Sequence, residues 1–276
     1  MTYAVRCASV RFGDTLALDN VSLQVEPGAV LAVVGGDGAG KTTLLRALVG
    51  QAQLATGEVD APPAEAIGYM PATAGSWSSL SVAQNMDFVG GIYGLSGNAL
   101  TSRRDELLDR ASLGSSIDQL ASALSGGMRR KLGFSLAMLH DPPLLVLDEP
   151  STGIDPVSRI DLWRMVSEAA AAGAAVVMST TYLDEAERAA HLLVLDGGRT
   201  LASGTLADVL DSFDGAISTT ARPRRRAWAW RRGREYHEYW PTTAGVPIDA
   251  AAVTPDLEDV VVTLSMLKRH ESELAS

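Results

Sequence analysis

The sequence predicts an α/β fold with a largely parallel sheet that is covered by helices on both faces. Two observations lead to this prediction. Short apolar segments typical of buried strands alternate along the chain with helical segments, an order that favours parallel strands joined by helices. A glycine-rich turn also joins one apolar segment, residues 30–34, directly to a helical run that begins near Thr43. The 276 residues, 46% of them hydrophobic, are enough for one large domain and a small appendage.

The first elements predict an antiparallel β subdomain beside the main sheet. Residues 3–10 and 21–25 alternate apolar and polar side chains, as half-buried strands do. Residues 67–71 form another predicted strand, which ends at a proline. The chain then changes in character, and residues 73–123 predict a helical subdomain in which Ser81 is suited to cap the first helix.

Strands and helices alternate again after this insertion. A glycine pair opens a helix from Gly126 to about Leu139, and the apolar residues 144–147 predict a buried strand. A proline at the first helical position supports a helix that starts at Pro156. The remaining predicted elements are helices over 156–172 and 183–190 and strands over 174–179, 191–196 and 199–204.

The C-terminal residues predict a small α+β appendage. We expect the main domain to cover residues 1–213 and the appendage to cover 214–276, with a β-hairpin that turns near Gly233 and a helix after Asp256. The stretch 222–234 is rich in arginine and tryptophan. Basic and aromatic side chains together can bind single-stranded nucleic acid. A solvated hairpin with packed tryptophans explains the same composition. The stretch has no recognisable nucleic-acid motif, so no nucleic-acid partner is expected.

Composition excludes several classes of protein. Cys7 is the single cysteine, which excludes an intrachain disulfide and fits a reducing compartment. No apolar run approaches the roughly 20 residues of a membrane span, so we expect any link to a membrane to run through a partner. The net charge of −10 makes the whole chain a poor binder of polyanions.

The glycine-rich turn fits the phosphate-loop motif G-x-x-x-x-G-K-[ST] in its required strand–loop–helix context. Its glycines allow successive N–H groups to surround phosphate oxygens, and the helix N-terminus adds a positive dipole. Lys41 supplies a charge for the β- and γ-phosphates, and the Thr42 hydroxyl can reach Mg²⁺. The predicted nucleotide-binding residues are Gly35, Gly36, Asp37, Gly38, Ala39, Gly40, Lys41, Thr42 and Thr43.

Two carboxylates follow the apolar strand 144–147, at the end of a strand where α/β sheets place their ligands. Asp148 can hold Mg²⁺ directly or through water, together with Thr42. Glu149 can orient or deprotonate the attacking water. The sequence therefore predicts Glu149 and Lys41 as catalytic residues.

The segment Leu124-Ser125-Gly126-Gly127-Met128 resembles the signature motif of ABC-transporter ATPases. The order of motifs is also similar to that family: phosphate loop, helical insertion, signature, acidic pair and then Ser151-Thr152-Gly153-Ile154-Asp155. The resemblance covers about residues 3–212. The signature continues as Met128-Arg129-Arg130-Lys131-Leu132, which resembles the ATPases of ABC-2-type exporters. The resemblance implies a P-loop NTPase fold of the ABC type and an ATPase that uses ATP and Mg²⁺.

In that family two ATPase subunits pair head to tail, and each signature closes the nucleotide site of the other subunit. The resemblance therefore implies that Ser125, Gly126 and Gly127 contact a nucleotide held by a partner. It also implies that Phe12 stacks on adenine and that Asp155 lies at the dimer interface. N–H groups that open a helix favour a phosphate, so the implied role of the signature is physically sound.

The same resemblance implies where the chain works. We expect a cytoplasmic subunit held at the inner face of the cell membrane by a permease, which the segment near residues 72–95 contacts. The ATPase partner is a second copy of the chain or a different ABC ATPase.

Two residues depart from the family pattern. The family has glutamine after Tyr-x-Pro, where this chain has Ala72, and a histidine that contacts the γ-phosphate, where this chain has Thr181. Ala72 cannot hold Mg²⁺ or water, and Thr181 cannot carry positive charge. Loss of one such donor typically lowers the rate by about 10²–10³-fold. The chain is in this respect similar to the amino-terminal half of tandem two-ATPase exporter subunits. We therefore expect a slow site of its own and favour a heterodimer.

Two alternatives remain open. One is a soluble ABC ATPase that serves translation or DNA repair. Lys41 and Asp148 lie too close in sequence for the coiled coil of the repair type, and the translation type has two sets of motifs where this chain has one. The other alternative is a regulatory subunit that binds ATP without hydrolysing it, a role with which Ala72 and Thr181 are compatible.

Overall fold

The structure is a computed structural model that describes residues 2–247 and 250–275. The chain divides into two compact units, Met1–Thr200 and Leu201–Ser276. The domain boundary expected after residue 213 stays a prediction. The expected α/β fold with a parallel sheet, an antiparallel β subdomain and inserted helices is confirmed.

The strands agree with most of the expected segments, and several extend further than the hydrophobic pattern indicated. In chain order they are β1 (Tyr3–Phe12), β2 (Thr15–Val25), β3 (Val30–Val34), β4 (Thr56–Asp60), β5 (Ile67–Met70), β6 (Leu144–Leu147), β7 (Ala175–Thr180), β8 (His191–Asp196), β9 (Arg199–Gly204), β10 (Ala216–Thr220), β11 (Ala229–Arg232), β12 (Glu235–Trp240) and β13 (Ala251–Val253).

The helices also follow the expected order. They are α1 (Lys41–Leu48), α2 (Val82–Ile92), α3 (Gly97–Arg110), α4 (Gly126–Ala137), α5 (Pro156–Ala171), α6 (Leu183–Ala186), α7 (Leu206–Asp211) and α8 (Leu257–Ala275), with single 3₁₀ turns at Ala64–Ala66, Gly114–Ser116, Ala121–Ala123 and Arg226–Trp228. None of the helices in the described ranges is both long and apolar enough to cross a lipid bilayer.

A six-stranded sheet forms the centre of the first unit. Its strand order is β5-β6-β7-β3-β8-β9, and neighbours from β5 to β8 are parallel. Every residue of β3 and β6 is buried, because a parallel strand covered on both faces needs apolar side chains on both. Val34 lies level with Thr180, and Leu147 lies level with Met178. The loops after β3, β6 and β7 therefore leave the sheet at the same edge.

A three-stranded antiparallel sheet of order β2-β1-β4 accompanies this core. The helical segment begins with α2, which Ser81 caps as expected. Ser81 Oγ accepts from the Gln84 N–H at 3.1 Å while Gln84 Oε1 accepts from the Ser81 N–H at 2.9 Å. In the second unit, the hairpin that turns at Gly233 belongs to a four-stranded antiparallel sheet of order β11-β12-β10-β13. The sequence pattern does not predict β10 or β13.

Candidate functional site

The phosphate loop follows β3 and ends at Lys41, the first residue of α1. Gly40 precedes the helix with φ of 103°, a left-handed conformation that favours glycine, and a Cβ there would lie 2.8 Å from Leu18 Cδ2. Lys41 is 5% exposed, and its Nζ donates to the carbonyl oxygens of Gly35 at 2.7 Å and Gly36 at 3.1 Å. The loop thus curls around the lysine ammonium group.

Asp148 follows β6 and is buried. Its Oδ1 accepts hydrogen bonds from Thr42 Oγ1 at 3.1 Å and from Ser179 Oγ at 2.7 Å. Burial and the nearby Asp148 carboxylate raise the pKa of the Tyr69 phenol, and Arg46 partly opposes that rise. Asp148 therefore joins three elements: the strand that it follows, α1 through Thr42, and β7 through Ser179.

Glu149 continues from the same strand end in a strained backbone conformation. Its φ of 47° lies in the left-handed region, which costs a residue with a side chain about 1–3 kcal/mol. The backbone N–H donates to Ser179 Oγ at 2.8 Å. Glu149 Oε1 lies 3.1 Å from Lys41 Nζ, and Oε2 accepts from Thr152 Oγ1 at 3.1 Å. The carboxylate is thus fixed between the lysine of the phosphate loop and the segment after β6.

One oxygen of Asp148 is suited to a divalent cation. Within residues 2–247 and 250–275, Asp148 Oδ2 is buried and has no hydrogen-bond partner. A buried carboxylate oxygen without a partner is costly unless water or a ligand satisfies it. Thr42 Oγ1 lies beside the same carboxylate, and carboxylate and hydroxyl oxygens are ligands of Mg²⁺ in phosphate-loop proteins. The residues present therefore fit Mg²⁺.

A cavity of about 400 Å³ lies against the phosphate loop. This volume lies within the range of roughly 300–1,000 Å³ that is typical of small-molecule sites. The cavity brings together most of the predicted loop residues and Glu149. Its described lining residues are Thr15, Leu16, Ala17, Gly36, Asp37, Gly38, Ala39, Gly40, Lys41, Thr42, Thr43, Glu149, Gly197 and Gly198.

Two parts of this lining were not identified from the sequence: the first residues of β2 and the glycine pair after β8. The Gly198 carbonyl accepts the Asp19 N–H at 2.8 Å, its N–H donates to the Ala39 carbonyl at 3.0 Å, and a Cβ would lie 2.6 Å from the Ala17 carbonyl oxygen. The glycine pair was visible in the sequence as a turn, but its partners were not. Phe12 is 56% exposed and does not line the cavity, so its stacking on adenine stays a prediction.

The signature residues do not join this cavity. Ser125 caps α4 by accepting the Met128 N–H at 3.2 Å, and both Ser125 and Gly126 are exposed. Gly127 is buried against Ser158, where a Cβ would lie 2.6 Å from the Ser158 Cβ. The structure therefore places the signature at the surface beside the start of α5, and its contact with a partner's nucleotide stays a prediction.

Ala72 and Thr181 are also exposed and follow β5 and β7, the two strands that flank β6. No histidine lines the described cavity. His140 instead stacks on Tyr93, with ring centroids 3.7 Å apart, and burial lowers the pKa of its imidazole. It is not placed to replace the histidine that Thr181 lacks.

A buried glutamate organises the turn around Thr181. Glu185 Oε2 accepts from Thr180 Oγ1 at 2.7 Å and from Ser151 Oγ at 2.8 Å, and its Oε1 accepts from Arg159 Nε at 3.1 Å. The turn after β7 is thereby tied to the segment after β6 and to α5.

Comparison with known proteins agrees with this geometry. The family profile described as ABC transporter matches residues 18–152. Nod factor export ATP-binding protein I of Cupriavidus metallidurans is 37% identical over 225 residues, which cover 77% of this chain and 74% of that protein. The chain belongs to the family of ABC transporter ATP-binding proteins.

Two further comparisons place the chain within this family. The probable multidrug ABC transporter ATP-binding protein YbhF of Escherichia coli is 37% identical over 201 residues, which cover 69% of this chain but only 35% of that protein. A solved ATP-binding subunit of an ABC transporter has 28% sequence identity and superposes with a TM-score of 0.71 over 77% of this chain and 93% of that chain. The residues that the family profile matches lie within the first unit.

Proposed function

We propose that this chain is the ATP-binding and ATP-hydrolysing subunit of an ABC exporter, in which dimerisation driven by Mg-ATP moves a membrane permease. The observation that carries the proposal is the convergence of Lys41, Thr42, Asp148 and Glu149 around the phosphate loop. The exporter role is supported by relatives whose names refer to Nod factor export and to probable multidrug transport.

The residues of the chain bind the phosphates and handle the proton. The loop N–H groups and the N-terminus of α1 bind phosphate oxygens. Lys41 Nζ lies 3.1 Å from Glu149 Oε1 here, so phosphates that draw the ammonium group away release the carboxylate. Glu149 then orients the attacking water and accepts its proton. Mg²⁺, when bound, neutralises phosphate charge, and Thr42 and Asp148 are the residues that hold it.

We further propose that this site is slow and that the chain works beside a different, fully equipped ABC ATPase. Ala72 and Thr181 lack the amide and the imidazole that the family uses, and no histidine from the described residues lines the cavity. The exposed Ser125 and Gly126 are available to close the partner's site. A homodimer remains the other possibility.

The permease contact is proposed for the segment near residues 72–95, with the chain on the cytoplasmic side of the membrane. Trp77 and Phe88 in this segment pack edge to face with ring centroids 4.8 Å apart, and each is nearly half exposed. Ile92, which lies on α2 together with Phe88, is 64% exposed. Contiguous exposed apolar side chains of this kind are typical of an interaction surface.

Turnover of the purified chain tests the enzymatic part of the proposal. We expect Mg-ATP to raise the melting temperature of the wild type, while phosphate release stays near the blank. Thr181→His supplies the missing cationic donor and should raise turnover at least about tenfold. The control is Thr181→His combined with Glu149→Gln, which should return turnover to the wild-type level.

The outcomes separate the alternatives. Fast wild-type turnover would remove the slow-site proposal and favour a homodimer. ATP binding without turnover in either the wild type or Thr181→His would favour the regulatory subunit that Ala72 and Thr181 also allow. An unchanged melting temperature with ATP would contradict nucleotide binding itself.

Membrane association tests the exporter part. We expect the chain to sediment with inverted vesicles from the cells that produce it, and Trp77→Ser or Phe88→Ser to reduce that fraction severalfold because the apolar contact is lost. Leu274→Ser is the matched control, since Leu274 is 77% exposed but lies on α8 in the other unit. Equal loss for all three variants, or no sedimentation of the wild type, would contradict the proposed docking site.

A further inference from the structure

Arg130 lies on the first turns of α4, but its side chain contacts two loops outside that helix. Its Nη1 donates to the Ala72 carbonyl oxygen at 2.5 Å, and its Nη2 donates to the Thr152 carbonyl oxygen at 3.2 Å. The planar guanidinium presents several donors in one rigid fork, so a single side chain can bridge two acceptors. Arg130 therefore connects the loop after β5 with the segment after β6.

The segment that Arg130 contacts also holds the proposed catalytic carboxylate. Thr152 Oγ1 donates to Glu149 Oε2 at 3.1 Å, and the Thr152 N–H donates to the Glu149 carbonyl at 3.3 Å. Burial lowers the pKa of Arg130, and the negative charges of Glu149 and Asp148 oppose that change. The negative charges of both acidic residues thus act on the guanidinium. Thr152 connects Arg130 to Glu149, because it contacts both residues.

The loop on the other side of this bridge packs tightly against α4. Ala74 has φ of 68°, and a Cβ on Gly133 would collide with the Ala74 carbonyl oxygen. Gly133 lies about one helical turn after Arg130, so the loop meets α4 at two successive levels. At Ala72 itself the side chain is only a methyl group, so the polar group that this position offers is its carbonyl oxygen, which Arg130 binds.

We propose that Arg130 is a positioning residue that links α4 and the loop after β5 to the ATP site of its own chain. It holds the loop 71–75 and the segment 149–155 in one arrangement and thereby fixes Glu149 through Thr152. At Ala72 the link runs through the main chain, because no side-chain amide is present there. A displacement of α4 therefore reaches Glu149 through Arg130. The catalytic consequence rests on the proposed ATPase function, whereas the bridge itself does not.

The test compares Arg130→Met and Arg130→Lys with Arg129→Met. Arg129 is a matched control because it also lies on α4 and also donates only to carbonyl oxygens, those of Ala121, Ser122 and Leu124. Hydrogen exchange of the full chain is measured first, without nucleotide. We expect Arg130→Met to speed exchange severalfold in 71–75 and 149–155, and Arg129→Met to speed it only near 121–124. Arg130→Lys, which has a cation without a planar fork, should be intermediate.

Steady-state kinetics with Mg-ATP form the second arm, with each arginine variant made in the Thr181→His background, where turnover is expected. Arg130→Met should lower kcat about 10- to 100-fold with KM changed less than about twofold, because misplacement of a catalytic group by about 1 Å has effects of this size. Arg130→Lys should recover part of the loss. Unchanged exchange in both segments overturns the proposal, and so does faster exchange with unchanged kcat.

The exchange arm keeps the two proposals distinguishable. If Thr181→His shows no turnover either, the proposed ATPase function fails, while faster exchange in 71–75 and 149–155 of Arg130→Met still supports the bridge. If turnover is present and all arginine variants behave like the wild type, the bridge fails and the ATPase function stands.

Discussion

Gly127 lies where the signature helix α4 approaches the start of α5. A Cβ at this position would lie 2.6 Å from the Ser158 Cβ, a contact that a change of the serine rotamer cannot relieve. Ser158 Oγ also donates to Asp155 Oδ2 at 2.6 Å, so its position is fixed from the other side. We expect Gly127→Ala to lower the free energy of unfolding by about 1–3 kcal/mol, as overpacking does.

Gly126→Ala is the control for this prediction. A Cβ on Gly126 would meet the Gly153 carbonyl oxygen at 3.5 Å, an ordinary contact. Alanine is also a better helix former than glycine by about 0.5–1 kcal/mol, so Gly126→Ala should be neutral or slightly stabilising. Urea unfolding of both variants measures the difference, and equal stability of the two would show that Ser158 does not confine the signature helix.

At the scale of residues, the sequence predicts the site residues that belong to local motifs and misses those that tertiary packing brings to the site. Lys41 and Thr42 follow from one contiguous motif in its strand–loop–helix context. Asp148 and Glu149 follow from their place after an apolar strand. Leu16 and Gly198 could not be assigned to the same cavity, because their approach depends on how β2 and the turn after β8 pack. The φ of 47° at Glu149 is likewise set by its surroundings and not by its residue type.

At the scale of elements, Glu185 joins β7, α5 and the segment after β6. It is 4% exposed and accepts hydrogen bonds from Thr180, Ser151 and Arg159. Glu185→Ala leaves two buried hydroxyl groups without an acceptor and removes one partner of a largely buried arginine. We expect a loss of about 2–4 kcal/mol in the free energy of unfolding.

Asp184→Ala provides the comparison for Glu185→Ala. Asp184 binds the same arginine, Arg159, through two oxygens at 2.9 Å, but its side chain is 60% exposed. An exposed ion pair contributes about 0–1 kcal/mol, so this variant should unfold nearly as the wild type does. Chemical denaturation distinguishes the two, and a larger effect of Asp184→Ala would contradict the central role of Glu185.

The elements that the sequence predicted best are those with strong local signals. β6 was predicted with its observed bounds, because four apolar residues lie between prolines and an acidic pair. α6 was expected over 183–190 and ends at Ala186, since the Ala190 N–H donates to the Val30 carbonyl at 2.9 Å and draws the chain towards β8. β10 and β13 are short strands whose pairing is not visible in their own residues.

At the scale of the whole molecule, the phosphate-loop cavity and the signature residues of the first unit are separate. The cavity on the phosphate loop contains Lys41 and Glu149 but not the signature residues Ser125 and Gly126, which are exposed elsewhere. In the proposed head-to-tail dimer, each chain would bind a nucleotide at its phosphate loop and complete the site of its partner with its signature residues. If the proposal that Ala72 and Thr181 slow the chain's own site is correct, the chain should contribute more to its partner's site than to its own.

A mixed dimer tests this asymmetry directly. A second copy with Ala72→Gln and Thr181→His serves as the equipped partner, and two different affinity tags isolate the mixed species. Ser125→Arg in the otherwise unchanged chain should abolish most ATP turnover, because it blocks the signature that completes the equipped site. Glu149→Gln in the same chain should change turnover less than about twofold, because under the proposal its own site already lacks donors whose loss typically costs about 10²–10³ in rate. The reverse order of the two effects would show that the chain's own site is the fast one.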